Sequence, residues 1–152
     1  MKRILTILLL TIVAICMHAQ SYNSDKVAFT NYLVRMYNNA PFDGVRVVEN
    51  YDNVHLISVV ALDKSKYKSE YALNRVAEVK ATSQASRNLN GTNITTDLII
   101  HTNEKSDGSS DTEIIEKIHE HSVGYVKSLE QLTNFTRKDG MQVFIFMTPN
   151  IK

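Results

Sequence analysis

His119-Glu120-His121 is the stretch whose residue types most readily suggest chemistry, since imidazole and carboxylate side chains bind metals and move protons. The spacing works against a shared ion. On a helix, positions two apart point to different sides, whereas an i, i+4 pair would meet at one metal. The stretch is not the His-Glu-x-x-His arrangement, and no third ligand follows nearby. We read both histidines as solvated residues at a helix end, where the negative end of the helix dipole favours an imidazolium. His55 and His101 fall in predicted strands.

No other cluster assembles a reaction. Ser83 and Ser86 sit in a predicted helix rather than in the strained Gly-x-Ser-x-Gly turn that presents a nucleophile. Asp63, Glu70, Glu78, Asp97, Glu113, Glu116, Glu120, Glu130 and Asp139 form no pattern of paired acid and base, and read as solvated surface charge. Asn90-Gly91 has a single glycine, too little to cradle a phosphate. Asn90, Asn93 and Asn134 begin glycosylation triplets, which matter only with the right host machinery. Tyr22, Tyr32, Tyr37, Tyr51, Tyr67, Tyr71 and Tyr125 could line a glycan-stacking or protein-contact surface; their spacing fits half-buried core-face residues better. No catalytic, cofactor-binding or metal-ligating residue is assigned, and no cofactor is expected.

The elements that would carry these residues follow from periodicity. Residues 25 to 38 place Val27, Tyr32, Leu33 and Met36 at near-helical intervals, with Phe29 and Tyr37 beside them, and Pro41 ends that helix. Val45 and Val47 alternate in one strand. Val54, Leu56, Val60 and Leu62 alternate in the next, with Ile57 and Val59 on its other face. A long helix runs from about Ser65 to Leu89 and stops at Asn90-Gly91. A strand follows, with Ile94, Leu98 and Ile100 on one face. The polar loop 103–111 leads to a capping box, Ser110 to Glu113, and a short helix with Ile114, Ile115 and Ile118 inward. Asp139-Gly140 then joins a glycine-led strand to an apolar final strand, Met141 to Met147. The order α-β-β-α-β-α-β-β predicts an α+β fold: a mainly antiparallel five-stranded sheet with one long and two shorter helices on one face.

Leu73, Ala77, Ala81, Ala85 and Leu89 form an i, i+4 row in the long helix, large at the ends and small in the middle. Small side chains let a helix approach a sheet closely, so this stripe is read as the docking face of that helix, flanked by Ala72, Val76 and Val79.

Destination is written at the N-terminus. Lys2 and Arg3 precede an apolar run from Ile4 to Met17 and the small residue Ala19, the layout of a secretory signal peptide; the run is short for a bilayer span. Residues 1–20 are expected to be removed, leaving one α+β domain over 21–152, periplasmic or secreted. Loss of Lys2 and Arg3 leaves 15 basic against 16 acidic residues, a net charge of −1 that steers the chain to neither nucleic acid nor an anionic membrane. The single cysteine, Cys16, is expected to leave with the signal, and Ile15 before it is bulkier than a lipid-attachment signal favours. Thiolate chemistry is thereby excluded from the mature domain.

Two stretches carry a resemblance. "ALNRVAEVKATSQASRNLNGTNITTDLII" resembles the alanine-rich helix, glycine stop and strand of the LPP-twenty-like outer-membrane lipoprotein family and of the N-terminal domain of flagellar assembly protein T. "HSVGYVKSLEQLTNFTRKDGMQVFIFM" is similar to that family's closing hairpin. Together they cover about half of the mature chain. The resemblance implies an exported α+β domain with a structural or interaction role and no catalytic residues to transfer. The chain departs from the lipoprotein pattern at Ile15-Cys16, and the segment before Asp63 has no matched counterpart. The expectation is therefore a non-enzymatic envelope or secreted domain whose partner is another envelope or secreted protein. A small-ligand or glycan-binding domain is the alternative, and a hydrolase assembled in space stands behind it.

Overall fold

The computed structural model describes residues 25–50, 53–90, 99–101 and 122–151. The chain divides into two compact units, Met1–Pro41 and Phe42–Lys152. In the first, residues 25–39 lie in a helix, α1. Leu33 and Tyr37, four apart, are buried, and Phe29 stacks beside Tyr32 with ring centroids 6.3 Å apart. Val27, expected on the inward face, is 52% exposed, because it lies a turn and a half before the buried pair.

The second unit is a five-stranded mixed sheet. Its strands are β1 (Gly44–Asn50), β2 (Asn53–Asp63), β3 (Ile99–His101), β4 (Glu130–Thr136) and β5 (Met141–Met147), in spatial order β3-β1-β2-β5-β4. All neighbours are antiparallel except β1 and β3, which run parallel with Val47 beside Ile99. Two helices of this unit, α2 (Glu70–Asn90) and α3 (Ser122–Lys127), pack on one face of the sheet. With α1, the element order is the one the periodicity predicts.

The alanine stripe is the seam between α2 and the sheet. Leu73, Ala77, Ala81, Ala85 and Leu89 are all buried. The first three pack with Val60, Leu62, Phe144 and Phe146; the last two pack with Val45, Val47, Val54, Leu56 and Ile99. Val76 borders the seam, whereas Val79, half a turn round, is 53% exposed. The opposite face of the sheet is apolar too: Val48, Ile57, Val59, Val143 and Ile145 are buried. In β3, Ile99, in register with Val47, enters the α2 cluster, while Ile100 pairs with Val48 and is half-buried.

Two boundaries differ from the periodicity. The long helix begins at Glu70 rather than near Ser65, because polar side chains compete for the backbone before it. Asp63 caps a 3-10 turn, Lys64–Lys66, accepting from the Ser65 N–H at 3.0 Å and its hydroxyl at 2.7 Å. Ser69 then caps α2, its hydroxyl accepting from the Ala72 N–H at 3.2 Å. The glycine-led segment 122–127, expected as strand, is helical as α3, and Tyr125, Val126 and Leu129 lean on the core. The expected helix from 111, with Ile114, Ile115 and Ile118, lies outside the described residues, as do the signal segment, Ile94 and Leu98.

The β4–β5 hairpin turns where Asp139-Gly140 predicts. Gly140 has φ +85°, its N–H bonds to the Arg137 carbonyl at 2.9 Å, and the Arg137 N–H bonds to the Met141 carbonyl at 2.8 Å. This is a three-residue loop with glycine in the left-handed position. After β5, Pro149 lacks an N–H, and the tail stays attached to β2 through side chains as well as backbone. The Thr148 hydroxyl accepts from the Leu56 N–H at 3.0 Å, the Asn150 side-chain Oδ1 accepts from the Val54 N–H at 2.8 Å, and Ile151 joins the core.

Candidate functional site

The sequence-predicted histidines do not come together in what is described. His55 lies on β2, with Nδ1 3.0 Å from the Thr148 carbonyl, so its ring is tied to the tail. His101 ends β3 opposite Glu49, with β1 between it and the strand of His55. Two strand spacings amount to roughly 10 Å. His119, Glu120 and His121 lie outside the described residues. Among the described residues, no group of three or more His, Cys, Asp or Glu side chains is placed to hold a metal ion.

Four of the described carboxylates, Asp63, Asp139, Glu70 and Glu78, are occupied with local structure. Asp63 accepts from Ser65, which holds its carboxyl below the ordinary range. Asp139 is held down to about 2, first by the Arg137 guanidinium, with the Met141 N–H adding a further bond. Both sit in turns and are exposed, so their low values mark capping rather than a poised acid or base. Glu70 pairs with Lys64 at 3.5 Å and Glu78 with Arg75 at 2.8 Å. Asp97, Glu113 and Glu116 lie outside the described residues. Ser83 accepts a bond from Arg87 at 3.1 Å, and Ser86 is half-buried on α2.

A polar relay crosses the helix–sheet seam. Ser58 is fully buried on the face of β2 that meets α2, its hydroxyl oxygen 3.2 Å from the Ala81 carbonyl and 3.0 Å from Gln84 Oε1. One hydroxyl proton serves those two acceptors in turn. The Gln84 amide then donates to Asp43 Oδ1 at 2.7 Å. A hydroxyl in the middle of an otherwise apolar seam is satisfied because alanine at 81 brings the helix backbone close. The relay fixes the position of α2 and ends at the exposed carboxylate of Asp43.

Among the described residues, an outward-facing groove of about 580 Å³ lies between α2 and β4. Tyr71, Asn74, Arg75 and Glu78 supply the helix side. Their spacing of i, i+3, i+4 and i+7 puts them on one face, about 100° round from the buried stripe. Leu129, Glu130 and Gln131 supply the strand side, and the buried ring of Phe146 forms the floor. The groove exists because α2 packs on β1, β2 and β5 and leaves β4 beside it rather than beneath it. Further along β4 the same face is amide-rich: Gln142 donates to Asn134 at 2.9 Å and accepts from the Thr136 hydroxyl at 2.8 Å.

The tyrosines sort by burial. Tyr37 is buried, while Tyr32, Tyr67 and Tyr125 are half-buried; Tyr67 and Tyr125 lie against the core clusters. Tyr71 is 81% exposed and stands at the groove. Tyr22 and Tyr51 lie outside the described residues. The sequence treated Tyr71 as one of seven and did not single out the groove. Its signal was available: Tyr71 is displaced by two from the row beginning at Leu73, so it lies off the packed stripe.

No family model, curated protein or solved structure matches this chain. The resemblance to the LPP-twenty-like and flagellar assembly families therefore rests on the quoted helix and hairpin residues alone.

Proposed function

We propose that this chain is an exported, non-enzymatic domain of the cell envelope or its surroundings that works by contacting another protein, with the groove between α2 and β4 as its working surface. One observation carries the reading: among the described residues, the large aromatic side chain that packing does not use, Tyr71, stands at an open groove whose floor is apolar and whose rim is polar. That combination of an aromatic anchor, an apolar centre and a polar rim is the anatomy of a protein contact site. Export is supported by the basic start and apolar run of residues 2–17. Among the described residues no helix is long and apolar enough to cross a membrane.

A second reading has its own support. Tyr71 beside the amides of Asn74 and Gln131 is also a set that stacks on and hydrogen-bonds to a sugar, so a glycan-binding domain is the alternative. Chemical crosslinking in the envelope of the producing cell separates the two. The interaction reading predicts a discrete protein adduct. A chain that stays monomeric, recovers no protein and binds oligosaccharide with Tyr71 required would overturn it in favour of the second.

A further inference from the structure

We propose that an extended segment of a partner protein adds to the outer rim of β4 as a sixth strand, with a basic side chain of that segment seated at Glu130. This rests on the interaction reading above and narrows it to one mode and one chemistry. β4 is an edge of the sheet, and no described strand pairs with its outer side. The Arg137 N–H bonds to the Met141 carbonyl at 2.8 Å. By the alternation of an antiparallel ladder, Phe135 and Thr133 then bond towards β5, while Thr136 and Asn134 direct their N–H and carbonyl groups outward. A seven-residue strand offers a rim roughly 24 Å long.

The groove lies on the α2 side at the start of that rim, where Leu129, Glu130 and Gln131 line it. Side chains of an added strand alternate, so every second one would fall towards Tyr71, Leu129 and Phe146. Backbone bonds along the rim and side-chain pockets beside it are the two components of recognition by strand addition. Charge then selects the occupant. Arg75 is taken up by Glu78 at 2.8 Å, whereas Glu130 is exposed and makes no ion pair among the described residues. The groove lining thus carries one net negative charge, which a lysine or arginine of the partner neutralises. The bulge between Gln131 and Thr133 interrupts the regular pattern, so an added strand must follow a bend there.

The test uses the protein purified from the cells that make it, screened against a displayed library of random nine-residue peptides. Enriched sequences are expected to carry Lys or Arg at one fixed position and apolar residues at alternate positions beside it. For the best peptide, fluorescence anisotropy should show at least tenfold weaker binding when alternate backbone nitrogens are methylated, a change that removes strand pairing and keeps the side chains. Glu130→Gln should weaken the same peptide about fivefold, with an unchanged melting temperature as the folding control. No enrichment, indifference to backbone methylation, or indifference to Glu130→Gln would each overturn the proposal. So would a β4 rim covered by a second copy of this chain in solution, or competition for the site by oligosaccharide alone. A crosslinked envelope protein whose contacts map away from β4 would overturn strand addition and leave the interaction reading standing. Failure to recover any protein would remove the interaction reading itself.

Discussion

Replacing Ala81 with leucine adds three carbons to the closed seam between α2 and the sheet. Ala81 is fully buried among Val60, Leu62, Phe144 and Phe146, and its carbonyl lies 3.2 Å from the Ser58 hydroxyl. Extra carbons in a closed seam cost about 1 to 3 kcal/mol through strained rotamers and backbone shifts. A helix pushed away from β2 also stretches the Ser58 bond, worth about 0.5 to 1.5 kcal/mol. The combined loss is roughly 2 to 4 kcal/mol, which for a domain of this size corresponds to a fall in melting temperature of roughly 6 to 20 °C. Thermal unfolding followed by circular dichroism, with urea unfolding as a second measure, reads this directly. Val79→Leu, two residues away on the exposed side, should stay within about 0.5 kcal/mol of the parent. A melting temperature unchanged by Ala81→Leu would refute the seam and return the alanine stripe to the status of a contact surface.

The tail and the turn give further checks. Thr148→Val keeps the shape and removes the acceptor of the buried Leu56 N–H, so urea unfolding should show a loss of about 1 to 3 kcal/mol. Asn150→Ala should cost about 1 kcal/mol by the same measurement, because it frees the Val54 N–H and the Asn53 side chain. Asp139 is held at about 2 against an ordinary 3.8, so a folded-state value lowered in this way stabilises the fold above pH 4. That contribution should fade as pH falls from about 4 to about 2, with the carboxyl titration followed by carbon-13 NMR. Arg137→Gln should move the midpoint back towards 3.8, since the guanidinium is the chief cause.

The sequence was legible where side-chain period and local capping act together. The row from Leu73 to Leu89 announced both a helix and the face it buries, and Asp139-Gly140 announced a turn that needs a positive φ. It was less legible where short polar side chains capture the backbone: Asp63 and Ser69 delay α2 to Glu70. Residues 122–127 were misread because an apolar residue next to glycine fits a strand or a helix equally over one turn. The register of β3 was set by parallel pairing with β1, a long-range choice that alternation alone does not contain. The groove was hidden for a related reason: it depends on β4 lying outside β5, where α2 does not reach, and strand order is not written in any single segment.

The most direct test of the central claim places a photo-crosslinking amino acid at Tyr71 in one variant and at Val79 in another, each activated in the producing cell. Both positions are exposed and lie on the same helix, so they differ in facing the groove or facing away from it. The account predicts a discrete protein adduct from position 71 and none from position 79. Equal adducts from both positions, or an adduct from position 79 alone, would contradict it.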